Sequence, residues 1–157
     1  MSLSSLSCSL KESPVTPEID KRFINSASDL NLFCITASQT ALTAATSTRV
    51  RQYAQEVIAN GETTNRELIS LAWQKGIQLK DLSETNTQKI DSLQTKSIKD
   101  FDYTFMDMAV DAHYQLVALY ETEIQSGNDL TVRNWAKGKL SAVREDLEKA
   151  QLAKEAM

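Results

Sequence analysis

Between Phe23 and Ala44, apolar side chains recur at alternating spacings of four and three: Phe23, Ala27, Leu30, Cys34, Ala37, Ala41, Ala44. That period puts them on one face of a helix. Most are small, so a neighbouring helix can approach closely. Thr16-Pro17-Glu18 predicts the start, with Thr16 as N-cap, Pro17 at the first helical position and an acid in the first turn. Thr46-Ser47-Thr48 interrupts the pattern, and a second stripe follows: Val50, Ala54, Val57, Gly61, Thr64, Leu68, Leu71. Gly76 fits the residue just past that helix's end. The break is so short that the two helices must form an antiparallel hairpin. Each is about 28 residues, or roughly 42 Å at 1.5 Å per residue.

Gly76 to Glu84 is a polar connection. Thr85 and Gln88 have capping-box spacing and predict a short helix carrying Ile90 and Leu93; Ser97 and Asp100 repeat that spacing ahead of a third long helix. Its stripe is Met106, Val110, His113, Val117, Tyr120, Ile124. Ser126-Gly127-Asn128-Asp129 is a turn, with Gly at the stop and Asn or Asp as the new cap. The last helix carries Val132, Trp135, Ala136, Leu140, Val143, Leu147, Ala150 and Leu152. Four amphipathic stripes must bury against one another. The expected fold is therefore all-α, a ferritin-like antiparallel four-helix bundle with a short extra helix before the third long one. The bundle is expected over 16–157, after a flexible leader over 1–15.

Composition agrees with this reading. Hydrophobic residues make up 41% of the 157 and charged ones 24%, a globular balance. Only 4 Gly and 2 Pro are present, too few for many short strands and turns. The net charge is -4, with no dense Lys/Arg cluster, which argues against nucleic acid as a partner. No apolar run is long enough for a transmembrane helix. The leader lacks the apolar core of a secretory signal. Leu6-Ser7-Cys8 resembles the end of a lipoprotein signal, in which Cys8 would carry a lipid anchor; an ordinary Ser-rich tail reads equally well. The cysteines, Cys8 and Cys34, do not make a disulfide framework.

The ordered set of residues from Asp20 to Ala153 resembles a bacterial domain-of-unknown-function family, number 4142. Asp20 with Phe23 opens the first helix in that pattern; Val50, Ala54, Asn65, Glu67, Leu68 and Ala72 follow in the second. Phe101-Asp102, Phe105, His113 and Val117 to Glu121 match the third, and Gly127, Ala136, Leu140 and Leu147 the fourth. The resemblance implies a ferritin-like fold and a location in the periplasm or cell envelope. It implies no established activity. The chain departs from the family where Glu is usual at Cys34, Asp-His at Asn60-Gly61 and His at Asp146.

A ferritin-like di-iron site needs two Glu-x-x-His motifs. This chain has one His, His113, and Val110 stands three residues before it. The usual site is thereby excluded within one chain. His113 lies within an apolar stripe, where a neutral, hydrogen-bonded imidazole is required. Cys34 and Gly61 lie at one level of the first hairpin, 13 and 14 residues from Ser47, so Gly61 leaves space opposite Cys34. Asp146 sits at the edge of the last stripe, roughly one turn out of register with His113. Cys34, His113 and Asp146 together offer S, N and O donors, a set zinc accepts. Each also has a bland role: a compact buried thiol, a satisfied core histidine and a salt-bridged surface acid. Trp73 and Trp135, near opposite ends of their helices, are expected to seal the bundle.

The expected function is a non-catalytic structural or partner-binding module, with no cofactor and no nucleophile or acid/base constellation. The alternative is a metal- or small-ligand-binding bundle centred on His113, holding a single divalent metal such as zinc. The partner would be an unidentified protein, or a second copy in a homodimer, since small-residue faces suit close pairing.

Overall fold

The computed structural model describes residues 15–157. Cys8 and the lipid-anchor reading of Leu6-Ser7-Cys8 lie outside the described residues. Four long helices, α1 (Glu18–Ala44), α2 (Thr48–Gln74), α4 (Ile98–Ser126) and α5 (Leu130–Glu155), are joined by tight turns and by one longer connection containing α3 (Glu84–Gln94). No strand occurs among the described residues.

Polar contacts at the two ends set the direction of each helix. Where α1 ends, the Asp102 carboxylate from the start of α4 accepts hydrogen bonds from the Thr46 and Ser47 backbone N–H groups at 3.0 and 2.8 Å. At the other end, Thr16 before α1 donates to the carbonyl of Lys75 after α2. Asp20 at the start of α1 accepts from the turn between α4 and α5. Thus α2 and α4 run parallel to each other and opposite to α1 and α5, and the α3 segment carries the chain back along the bundle. Each long helix packs beside two others, α1 on α2 and α4, α5 on α4 and α2, so all four adjacent pairs are antiparallel. Short α3 lies against α1, where Asp29 accepts from the Ser83 amide and the Asn86 side chain.

Most of the predicted stripes are buried: Phe23, Ala27, Ala37 and Ala41; Val50, Ala54, Val57, Leu68 and Leu71; Ile90 and Leu93; Met106 and Tyr120; Val132, Ala136 and Ala150. The α4 face is turned slightly from the predicted one. Phe101, Phe105, Ala109, Ala112 and Leu116 are buried, while Val110, Val117 and Ile124 are half-buried. The third long helix has two apolar neighbours, α1 and α5, so its buried face is wider than a single stripe. At the ends of stripes the buried position shifts by one residue, with Ala45 and Ala153 replacing Ala44 and Leu152.

The caps differ from the expected ones in three places. Helix α1 starts at Glu18, and Thr16 spends its hydroxyl on Lys75 instead of on an orphan amide. Helix α3 is capped by Ser83, which accepts from the Asn86 amide, two residues before Thr85. Ser97 donates to the Asp100 carboxylate and makes no cap bond. Gly76 behaves as expected: its φ is +65, and the Ile77 amide reaches back to the Ala72 carbonyl at 2.8 Å. Trp73 is a correction. It is 83% exposed and seals nothing, whereas Trp135 packs edge-on against Phe23 and donates to Glu67 at 3.0 Å. No helix among the described residues is long and apolar enough to cross a membrane.

Candidate functional site

Midway along the bundle, α1, α2, α4 and α5 enclose a cavity of about 30 Å³. Cys34, Asn60, Gly61, His113 and Asp146 all line it. The three donors singled out in the sequence therefore converge. The turn Gly127–Asp129, which belongs to neither helix, shortens the offset between two of them: His113 lies 13 residues before the end of α4 at Ser126 and Asp146 lies 16 residues after the start of α5 at Leu130. Gly61 adjoins the same space as Cys34, as the hairpin register predicts.

Convergence is not chelation. Among the described residues, no three His, Cys, Asp or Glu side chains stand close enough together to hold a metal ion. Cys34, His113 and Asp146 surround the cavity from three helices, and Asp146 is instead bonded to the Asn60 amide, which donates to it at 3.2 Å. Nothing in the donor set favours a thiolate either. Burial, with Asp146 nearby, pushes the Cys34 thiol up to about 12, so it stays protonated.

His113 is 4% exposed. Its Nδ1 lies 2.8 Å from the Ala109 carbonyl, an acceptor, so Nδ1 carries the proton and Nε2 keeps the lone pair. The Tyr53 hydroxyl is 3.4 Å from the same Nδ1, long for a hydrogen bond. Burial lowers the His113 pKa, opposed by the Ala109 bond and the Asp146 charge. Burial also raises Asp146, against His113, Asn60 and Lys149, which favour its charged form. Burial raises Tyr53 well above the usual phenol range. Burial thus disfavours the charged form of each of these groups.

A second polar cluster lies at the end where α1 starts, and its key residue belongs to none of the predicted stripes. Glu123 is fully buried, and neither carboxylate oxygen has a hydrogen-bond donor among the described residues. Asp20, also fully buried, accepts from the Asn128 amide at 3.1 Å and the Asp129 amide at 2.9 Å. Asp129 caps α5 and pairs with Lys75 at 2.7 Å. Burial pushes Glu123 up to about 8, reinforced by Asp20 and Asp129 and opposed by Arg133. The signal available in the sequence was an acid three residues beyond Tyr120, inside the apolar face.

No curated protein matches the chain. A crystal structure of a DUF305 fragment from Deinococcus radiodurans superposes with a TM-score of 0.79 at 12% sequence identity, covering 92% of this chain and 100% of that one. At that identity the likeness is one of fold. The model of the family described as domain of unknown function DUF4142 matches residues 8–152, nearly the whole chain. The chain belongs to the DUF4142 family.

Proposed function

We propose that this chain is a non-catalytic, ferritin-like helical module of the bacterial cell envelope, acting as a structural or partner-binding element. One observation carries the reading: the central polar cluster encloses only about 30 Å³. That is room for a water or two, far below the several hundred Å³ of a typical small-molecule site. His113 and Asp146 are bonded to their own chain and the Cys34 thiol stays protonated, so no activated nucleophile stands there. A bundle whose inward polar positions serve packing leaves its outer surface to do the work.

A second reading rests on one atom. His113 Nε2 keeps its lone pair and makes no hydrogen bond to the described residues, while a backbone carbonyl fixes the ring, as for a metal-ligating imidazole. In that reading Asp146 or Cys34 would swing toward it and a single divalent metal such as zinc would bridge them. The test is the metal content of untagged protein by mass spectrometry, after incubation with zinc, iron and manganese and then desalting. Metal at background supports the non-catalytic module. Near-stoichiometric metal, lost in His113→Ala, replaces it with the metal-binding reading.

A further inference from the structure

We propose that Asp20 and Glu123 form a proton-operated latch: one proton held between the two carboxyl groups keeps this end of the bundle closed, and its loss releases the turn between α4 and α5. The geometry is specific. Glu123 lies in the last turn of α4 with both oxygens buried and without a donor among the described residues. A buried carboxylate without donors is strongly disfavoured; a carboxylic acid needs only one acceptor. Asp20 is that acceptor, and a proton on Glu123 is what lets the two groups bond.

The two carboxyls are not equivalent. Asp20 receives the Asn128 and Asp129 amides, just ahead of the α5 N-terminus, so its negative charge is stabilised by N–H donors and by the positive end of that helix. Glu123 stands at the negative, carbonyl-rich end of α4, where an added anion is repelled. The proton therefore resides on Glu123. The charged groups around Glu123 come from the packed elements in turn: Asp20 from α1, and Asp129 and Arg133 from α5 and its cap. Lys75, after α2, is held on Asp129 at 2.7 Å, and α3 contributes none. Among the described residues, Arg133 is the one cation acting directly on Glu123, and its Nε already donates to the Ile124 carbonyl.

Ionising Glu123 would place a second negative charge against Asp20 with no donor to receive it. Gly127 gives no slack, because even a Cβ there would collide with the Glu123 carboxyl. The contact that yields is the polar one between Asp20 and the turn, which joins α1 to the α4–α5 hairpin at this end beside the packing of Phe23 on Tyr120 and Trp135. The proton leaves to solvent base, and no other reactant is involved.

Two measurements decide it. In the wild-type chain, a carbon-detected NMR titration of the Glu123 side-chain carboxyl should show a midpoint near pH 8; a midpoint near 4.5 overturns the proposal. Hydrogen exchange at the Asn128 and Asp129 amides, corrected for intrinsic base catalysis, should lose protection at least about tenfold between pH 7 and 9, the loss expected for one proton whose release opens the contact. In Glu123→Gln, whose amide donates to Asp20 at every pH, that protection should stay constant. Equal loss in both proteins, or none in the wild type, overturns the latch. The titration alone still decides if the Gln variant does not fold.

Discussion

The Asn31 side-chain amide donates a hydrogen bond of 3.0 Å to the backbone carbonyl of Gly61, across the seam between α1 and α2. Both residues are buried. The two helices come this close because Gly61 has no side chain. A Cβ there would come within 2.7 Å of Ile35 Cγ1 and 3.5 Å of Asn31 Oδ1. Glycine inside a helix costs about 1 kcal/mol relative to alanine, and the close approach of the two helices offsets that cost here.

Replacing two glycines by alanine should therefore change stability in opposite directions. Gly61→Ala drives a methyl into a β-branched neighbour, and overpacking of about 1–3 kcal/mol outweighs the propensity gain. The expected net effect is destabilisation by up to about 2 kcal/mol. At Gly138, exposed on α5, an added methyl would meet nothing within 4 Å, and Gly138→Ala should stabilise by about 0.5–1 kcal/mol. Urea unfolding of the two variants checks both signs.

The thermal midpoint should fall as pH rises from 6.5 to 8. Glu123 has a raised native pKa, so its favourable contribution is complete below its unfolded value of 4.5 and is lost as pH rises through about 8. His113 has a lowered native pKa, so it costs stability only as pH falls below 6.5. Above 6.5 the histidine contribution is flat and the glutamate contribution remains, with a slope approaching about 1.4 kcal/mol per pH unit. Calorimetric scans from pH 5 to 9 provide the measurement, and a midpoint that is level above 6.5 contradicts the assignment.

Cys34 should be inert. A buried thiol pushed up to about 12 presents almost no thiolate at neutral pH. In a Cys8→Ser background, a thiol-reactive disulfide reagent at pH 8 should give no signal from native protein. The full one-equivalent release should follow only in denaturant.

The two tryptophans should respond differently to removal. Trp73, 83% exposed, can be changed to serine with a loss within about 0.5 kcal/mol. Trp135 stands against Phe23 and Tyr120 and donates to Glu67, so Trp135→Ala should cost about 3 kcal/mol or more. Chemical denaturation of both variants makes the comparison.

Much of the bundle was legible because burial imposes a period. A helix that covers a core must repeat apolar residues every three to four positions, and the stripes of α1, α2 and α5 do so. The Gly76 stop and the Asp129 cap were also readable, since a left-handed turn and an orphan amide each demand a particular residue type. The Ser83 cap was missed because Thr85 and Gln88 offer the same spacing two residues later, and local chemistry cannot choose between them. Asp29 chooses, by accepting the Ser83 amide from the adjacent helix.

The candidate site divides in the same way. Exclusion of the usual di-iron centre followed from counting one histidine, which needs no coordinates. Turn register put Cys34 level with Gly61 but left Asp146 roughly one turn from His113, and the convergence of all three on one cavity was decided only in three dimensions. There, Asp146 turns to Asn60 and His113 to Ala109. Glu123 belongs to none of the predicted stripes. Its partner Asp20 is more than a hundred residues away in the chain, and no local pattern records that contact. Sequence by itself determined the helices and their inward faces, because those follow from the period of burial along one chain. Tertiary structure alone decided which polar groups meet and which proton they must keep, because solvation and charge depend on neighbours that the chain brings together only by folding.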